Sequence, residues 1–419
     1  MLSFLLLLAA GSAAPGATPP TIPRPAEAVA PPQTAPVLTL TDALRRARMR
    51  SPLRRAADAR VTSAAAARDR LHRLPNPFFE FRSENWGPTN VAGHSRDTFA
   101  VVTQPIELGG KYAGRRRGAS ADEDLARASA EITDWELTAE VVDRYLSALD
   151  ARGTVDVLTE HQRGLDELVR VLAARVEEGT AAEADWRRLE VEQTRVQFAV
   201  SRAGITLERE LALLSSLVGE PIDAAQLVTP ELPATLPALT VAVDHVARRP
   251  DIRVARAEAE RLQAVAAQER AASVPDLVVS AGYKGTGGLR TGVAAVGFDI
   301  PLFQRNAAAI ARAAGDAGAA DHHTTYVTAR ALAAATADWN AARKLADEAS
   351  RLDAALLMPA EVVRTAARSA FLEGGGDILR LVDAERGYAD AAADALHLRV
   401  DALRALLHAR LSIGEDPLP

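Results

Sequence analysis

The residues that most often carry catalysis or bind metals are sparse in this chain and poorly spaced for either task. The eight histidines include the pair His322-His323, but adjacent residues on a helix point about 100° apart and do not easily share a metal ion. Cysteine is absent, which excludes thiolate metal sites, disulfides and a cysteine nucleophile. The metalloprotease, nucleophile-elbow and phosphate-loop motifs are also absent, and GGGD at 374–377 lacks the lysine that a phosphate loop needs. We therefore expect no enzyme, no cofactor and no metal site.

The composition favours long helices over compact globular cores. The 419 residues are 48% hydrophobic but only 4% aromatic, and the formal net charge is −6. This balance excludes the strongly basic chain that is typical of nucleic-acid-binding proteins. Many small side chains and few aromatic ones are typical of narrow helix contacts, where backbones approach closely.

The N-terminal 37 residues indicate export rather than a folded element. A short apolar run at 2–10 is followed by small residues, which predicts a signal peptide over 1–14. A buried N-terminal helix is the alternative. Eight prolines between 15 and 36 predict an extended, proline-rich tether over 15–37. After the signal, no apolar run approaches the ~20 residues that a membrane-spanning helix needs.

The second half of the chain repeats the first. Pro52 parallels Pro250, and Glu178-Gly179 parallels Glu373-Gly374, with offsets between 195 and 200 residues in consistent order. A period this long is that of a duplicated domain rather than of a solenoid unit. We predict a first repeat over 38–219, a proline-rich linker over 220–240 and a second repeat over 241–416.

Each predicted repeat contains one helix far longer than its partners. The first begins after Gly109-Gly110 and runs to Glu178, and its apolar or small residues recur at alternating steps of three and four, as in a coiled coil. At 1.5 Å per residue it is ~100 Å long. A second helix returns over 182–218. The corresponding long helix of the second repeat covers about 307–372, and Pro359 is expected to kink or break it.

Between the helices, each repeat carries two candidate strands. The strands are predicted at 77–86 and 97–106 in the first repeat, and at 276–284 and 292–300 in the second. Their lengths and alternation suit tilted strands that cross a bilayer, although a small soluble sheet packed on helices is the alternative. Four strands cannot close a barrel, and open sheet edges are not tolerated in lipid. A membrane location therefore requires strands from several chains.

Two segments next to these strands carry a family resemblance. QPIELGGK at 104–111 and IPLFQRN at 300–306, together with the duplicated layout, resemble the TolC-like outer-membrane efflux proteins and their cation-efflux branch. The resemblance implies a mainly α fold with membrane β structure. Long antiparallel helical hairpins would form a periplasmic tunnel, and four strands per chain would join a shared trimeric transmembrane β-barrel. It also implies a homotrimer in outer-membrane lipid that binds a periplasmic adaptor and an inner-membrane pump of the resistance-nodulation-division type.

The family closes the periplasmic end of its tunnel at the helix turns, and this chain matches that region in part. By resemblance, Asp185 matches a gating aspartate and Asp383 an acid of the entrance ring. Three copies of such acids around an axis would raise their carboxyl pKa values and favour a cation. The gate residues expected from the resemblance are Asp185, Phe371, Asp377, Arg380 and Asp383. Since Gly376 stands where some members carry a gating arginine, Arg380 is expected to pair with Asp383 or Asp185 instead.

These features predict a passive outer-membrane duct with a long periplasmic extension. It would conduct metal cations, or drugs and other small molecules, without chemistry of its own. The second hypothesis is a periplasmic coiled-coil scaffold or adaptor that has no transmembrane barrel.

Overall fold

The computed structural model describes residues 37–85, 95–233 and 235–416. The predicted signal peptide over 1–14 lies outside the described residues, as does the predicted tether over 15–37 apart from residue 37. Among the described residues, no helix is both long enough and apolar enough to cross a membrane.

The predicted fold class, mainly helical with four strands, is confirmed. The helices are α1 (Leu40–Arg50), α2 (Pro52–Asp69), α3 (Lys111–Glu177), α4 (Glu183–Val218), α5 (Val243–Val246), α6 (Pro250–Ala272), α7 (Ala307–Leu352), α8 (Met358–Leu372) and α9 (Ile378–Ser412). The strands are β1 (Phe78–Glu84), β2 (Asp97–Ile106), β3 (Leu277–Thr286) and β4 (Leu289–Phe298). A short 3₁₀ helix at Ala224–Gln226 lies between the two halves. In each half, a long helix follows the strands, turns at a glycine with positive φ (Gly179 or Gly374) and is followed by a returning helix.

The second long helix is interrupted by a π turn rather than simply kinked at its proline. The π turn, Asp353–Leu357, separates α7 from α8, and Pro359 follows it within the first turn of α8. Proline has no N–H to donate, and its ring crowds the carbonyl of the residue four positions earlier, here residue 355. A widened turn at that carbonyl accommodates both effects. Arg399 of α9 pairs with Asp353 at the start of the π turn.

The four strands form one antiparallel sheet in the order β1-β2-β3-β4. The β3–β4 turn consists of Gly287 and Gly288, both with positive φ, as a two-residue hairpin turn requires. Because this turn is so tight, β4 begins at Leu289, three residues before the predicted strand at 292–300. The outer edges of the sheet, on β1 and β4, pair with no other described strand.

The strand register separates an apolar from a polar face. Cross-strand pairs place these side chains on the apolar face: Phe79, Phe81, Ala100, Val102, Leu277, Val279, Ala281, Val296 and Phe298. The opposite face carries Glu80, Arg82, Glu84, Asp97, Thr103, Ser280, Lys284 and Thr291. Phe99 lies on the polar face, where Arg82 and Lys284 stack on its ring from both neighbouring strands.

Neither face of the sheet is covered by a described helix. Phe298 is 65% exposed, and Phe79, Phe81 and Val296 are exposed to a similar extent. The alternative of a small soluble sheet packed on helices is therefore wrong for this chain. An exposed apolar surface of this kind marks an interaction site.

The junction between sheet and helices is tightly bonded. Lys111 donates to Asp276 at 2.7 Å, and the Asn306 side chain donates to the carboxylate of Glu269 at 2.6 Å. Gly109 has φ +67°, and a Cβ on it would lie 2.5 Å from the side chain of Val274. The close approach of the two chain segments here consequently requires glycine.

One polar aromatic residue on each long helix holds the segment that leads into its repeat. The Tyr145 hydroxyl lies 2.7 Å from the carbonyl oxygens of both Leu38 and Val228 and accepts a hydrogen bond from Val228 N–H. Burial raises the pKa of Tyr145 to about 12. In the second half, the Trp339 indole N–H donates to the carbonyl of Pro237 at 3.1 Å. These bonds satisfy backbone groups of segments that have no regular secondary structure.

Candidate functional site

The two helical hairpins meet at their turns, which we call the hairpin tips (residues 177–183 and 372–378). Arg175, near the first tip, donates to the carbonyls of Phe371 at 3.0 Å and Leu372 at 2.6 Å. Its guanidinium also lies 5.4 Å from the centre of the Phe371 ring. A single arginine therefore ties the end of α8 to the end of α3.

An apolar cluster lies just inside the tips. Its buried members come from α3, α4, α8 and α9 and are Leu165, Leu168, Leu172, Leu189, Val196, Phe371, Ile378, Leu381 and Val382. Phe371, one of the expected gate residues, is buried in this cluster beneath Arg175. In this conformation its side chain packs the tip and does not line an opening.

The other four expected gate residues lie in the first turn of α4 or on α9 and at its start. Asp377 caps the N-terminus of α9, where its carboxylate accepts from Leu379 N–H at 3.1 Å. Asp185 lies in the first turn of α4, where a carboxylate is favoured by the helix dipole. Asp383 lines a groove of about 540 Å³ between α4 and α9, and Arg380 is exposed on α9.

The expected pairing of Arg380 with Asp383 or Asp185 does not form within the described part of the chain, where Arg380 has no ion pair. The pair that does join the hairpins near the tips consists of Glu192 on α4 and Arg386 on α9. Arg386 holds Glu192 through two hydrogen bonds, one of them 2.6 Å long. Bidentate pairing of this kind is the strongest form of a carboxylate–arginine contact.

Glu192 is buried, and its ionised form is stabilised where it lies. The hydrogen bonds from Arg386 lower the pKa of the Glu192 carboxyl below its ordinary value. Arg195, 3.8 Å away on the same helix, supports the same state. Sequence reasoning missed this pair, because a glutamate and an arginine 194 residues apart look like ordinary solvated helix charges.

Around this pair lies a layer of polar groups from all four helices, of which His161, Glu192 and Glu385 are buried, Arg364 is half-buried and Arg386 is exposed. We call it the polar layer and define it as His161, Glu192, Arg364, Glu385 and Arg386. Glu385 is only 1% exposed, and burial raises the pKa of its carboxyl. His161 is also buried, and burial lowers the pKa of its imidazole.

Two atoms of the polar layer are buried without a hydrogen-bond partner, Nδ1 of His161 and Oε1 of Glu385. Each such atom destabilises the fold, because it has lost its hydrogen bonds to water and gained none within the protein. Arg364 of α8 does not hydrogen-bond to either atom; it pairs with Glu361 at 2.8 Å and lies 3.6 Å from the centre of the Tyr388 ring. The polar layer therefore packs the hairpins less stably than the apolar cluster beside it.

No cofactor or metal site accompanies these groups. Among the residues that the structure describes, no three His, Cys, Asp or Glu side chains are close enough together to hold a metal ion. The arrangement can hold or release the hairpin tips by electrostatic means, but it offers no nucleophile with an adjacent base.

We predict that acidification below about pH 6.5, the ordinary His pKa, loosens the hairpins through His161. Its lowered pKa means that the folded state binds fewer protons there than the unfolded state, so stability falls as pH drops. The raised pKa of Glu385 acts in the opposite direction, because folding then takes up a proton. His161→Leu should therefore lose less stability than the parent chain between pH 7.5 and 5.5, as measured by urea midpoints. An equal loss in both proteins would contradict this role, and Glu385→Gln should increase the loss.

Comparisons with known proteins agree with this architecture. The family described as outer membrane efflux protein matches residues 242–415. The cobalt-zinc-cadmium resistance protein CzcC of Cupriavidus metallidurans is 28% identical over 238 residues, 56% of each chain. The nickel-cobalt-cadmium resistance protein NccC of Alcaligenes xylosoxydans xylosoxydans is 29% identical over 254 residues, 60% of this chain and 57% of that protein. The matched part of the chain thus spans little more than half the length of these relatives.

A solved structure extends the likeness to both repeats. The outer-membrane channel OprN superposes with a TM-score of 0.75 at 21% identity, covering 91% of each chain. At that identity the superposition shows the fold. By sequence, residues 242–415 match the outer membrane efflux protein family, and part of the chain is similar to the metal-resistance proteins CzcC and NccC; by fold, most of the chain is similar to the outer-membrane channel OprN.

Proposed function

We propose that the chain is the outer-membrane channel of a tripartite efflux system, conducting its substrate passively from the periplasm to the exterior. The observation that carries the proposal is the uncovered sheet, with one apolar face, one polar face and two free edges. An apolar face of this kind suits the lipid, and the polar face with Glu80, Arg82, Asp97 and Lys284 suits an aqueous pore.

The free edges support assembly from several copies. A strand edge in lipid leaves its N–H and C=O groups unsatisfied, so β1 and β4 must pair with other strands. Pairing β4 of one copy with β1 of the next is a head-to-tail contact, which generates a ring when the rotation closes. Three copies would supply twelve strands, the number that the family resemblance implies.

The helices present matching free faces. On α4, the exposed residues Val191, Phe198 and Ile205 recur at intervals of seven, and Phe198 is 74% exposed. A stripe with this period is that of a coiled-coil seam. On the other hairpin, Met358 and Val362 of α8 are also exposed. Contact between α4 of one copy and α8 of the next would cover both faces and continue the same ring.

The hairpin tips would form the closed periplasmic entrance of this ring. Asp185, Asp377, Arg380 and Asp383 stand at or near the tips, and Phe371 packs beneath them. Glu192 and Arg386 join the two hairpins of one chain just behind these residues. Opening would require the second hairpin to move away from α4, which breaks this pair.

The substrate and partners are inferred from the relatives. Their names associate them with resistance to cobalt, zinc, cadmium and nickel, which supports metal cations as the substrate class. A channel without an energy source needs a pump, so we propose a periplasmic adaptor and an inner-membrane pump of the resistance-nodulation-division type as partners. Drugs or other small molecules are the alternative substrates. A periplasmic scaffold is the alternative function, and the uncovered apolar sheet counts against it.

A pair of neighbouring substitutions tests the membrane location. Val296 lies on the apolar face and Ala295 on the polar face of β4. We expect Val296→Lys to weaken insertion, because lysine facing lipid is unfavourable, with a cost that reaches about 2–4 kcal/mol at the bilayer midplane. Ala295→Lys should insert normally, as measured by detergent extraction from outer-membrane fractions. Equal behaviour of the two variants, or recovery of the parent chain in the soluble periplasmic fraction, would argue for the scaffold.

Removal of the protein from its host tests the substrate class. If metal cations are exported, the lowest inhibitory concentrations of Co²⁺, Zn²⁺ or Cd²⁺ should fall severalfold, while those of lipophilic drugs should stay unchanged. The Val296→Lys variant should restore metal tolerance less well than Ala295→Lys. A fall for drugs alone would place the channel with a drug pump.

The Glu192–Arg386 pair tests the entrance. Arg386→Gln leaves Glu192 buried with a weaker partner, at a cost of about 1–3 kcal/mol to the closed tips. We expect longer open times in planar-bilayer recordings of the purified channel. Arg163→Gln, which removes an exposed arginine from α3, serves as the control and should leave the recordings unchanged. Unaltered gating in the Arg386 variant would mean that this pair does not hold the entrance.

A further inference from the structure

The junction between the sheet and the helices carries a band of arginines that the folded chain does not neutralise. We call it the basic collar and define it by Arg70, Arg73, Arg116, Arg117, Arg270 and Arg305. All six side chains are exposed, and none forms an ion pair within the described residues. Unpaired positive charge of this density in one band calls for an external partner of negative charge.

Most acidic side chains of the junction already have hydrogen-bond or ion-pair partners within the chain. Glu107 pairs with Arg115, Asp276 pairs with Lys111, and Glu269 accepts from Asn306. Asp69 pairs with Arg68. Asp299 is exposed and has no ion pair among the described residues, and Glu269 keeps its charge because Asn306 is neutral, so these two acids offset at most two of the six arginines.

The basic collar follows directly after the ends of the strands. Arg73 lies between α2 and β1, and Arg305 lies between β4 and α7. Arg116 and Arg117 lie in the second turn of α3, about 9 Å along the helix from its start at a rise of 1.5 Å per residue. The polar headgroup region on one side of a bilayer is about 5–8 Å thick. Because side chains on a helix point towards its N-terminus, the long arginine side chains of the collar can reach back to the depth of the headgroups when the strands cross the hydrocarbon.

An exposed apolar rim borders the basic collar on the side of the sheet. The apolar face of β4 continues beyond the strand through Ile300 and Leu302, and Phe303 is 97% exposed. In the first half of the chain, Leu108 is exposed just after the end of β2. At a membrane surface the acyl chains lie next to the phosphates, so apolar side chains next to arginines are suited to contact both parts of a lipid.

We propose that the basic collar binds the phosphates of anionic phospholipids in the leaflet that faces the helices, while the apolar rim inserts among their acyl chains. This rests on the proposed function, since it requires the sheet to lie in a membrane. The collar would select anionic over zwitterionic lipids around the assembly and fix the depth at which the helices leave the membrane.

The test uses the full-length protein reconstituted in phosphatidylcholine bilayers that contain spin-labelled phosphatidylglycerol or spin-labelled phosphatidylcholine. Electron spin resonance gives the relative association constant of the two labels at the protein surface. We expect a severalfold preference for phosphatidylglycerol at low ionic strength, because each arginine near an anionic surface contributes about fivefold. Arg116→Gln/Arg117→Gln should clearly lower the preference, since it removes two of the six arginines, and salt should weaken it in the parent protein.

Arg163→Gln/Arg202→Gln removes two exposed arginines from α3 and α4, away from the junction, and is the matched control. It should keep the parent's preference. An unchanged preference in the collar variant, or an equal loss in the control, overturns the proposal. So does a greater loss in inorganic phosphate than in chloride at equal ionic strength, which would indicate a site for free phosphate. Insertion is scored separately by flotation with the bilayers, so a parent protein that does not insert contradicts the proposed function instead.

Discussion

The unsatisfied edges and uncovered apolar face of the four-stranded sheet are the constraint on which the rest of this structure depends. An isolated chain cannot remove them, because no described helix packs across the sheet and the outer strands β1 and β4 have no partner. In water the apolar face would aggregate non-specifically. In lipid each unpaired backbone N–H or C=O group at the sheet edges would cost several kcal/mol of free energy. In the proposed channel, further copies of the chain would supply both the missing strands and the enclosure of the polar face.

The helices, like the sheet, leave apolar surface exposed in a single chain. The α4 and α8 faces stay apolar and exposed, while the hairpins of one chain are joined by polar contacts: Arg175 to the backbone of α8, and Arg386 to Glu192. Apolar packing contributes stability wherever it is buried, whereas an ion pair with one exposed partner, here Arg386, gives little net stability. The polar layer therefore suits a contact that must be released, and the apolar cluster next to it suits the part that must hold.

Much of the fold follows from patterns that the sequence shows directly. Heptad spacing, the glycines at the tips and strand-length alternation predict the long helices and the strands, because these are local properties. The alternation of residues within β2 does not show which side chains of β1 lie on the same face as Phe99, because that depends on the register between the two strands. Pro359 predicts an interruption of the helix, but the widened turn lies just before the proline. There the wider turn accommodates the missing hydrogen bond, and Arg399 pairs with Asp353.

The candidate site was harder to predict than the fold, because its ion pairs join residues that are far apart in the sequence. Resemblance alone selected Asp185, Phe371, Asp377, Arg380 and Asp383, and the pairing it suggested for Arg380 does not occur among the described residues of one chain. The pair that joins the hairpins, Glu192 with Arg386, becomes visible only when α4 and α9 are placed side by side. His161 and Glu385 carry no sequence signal, since their importance comes from burial.

The central claim is that several copies of the chain complete the sheet in a membrane. Native mass spectrometry of the protein extracted by detergent from outer-membrane fractions tests it most directly. A complex with the mass of three chains, which persists until the detergent is made denaturing, is the predicted result. A monomer that leaves the membrane fraction without detergent would contradict the account.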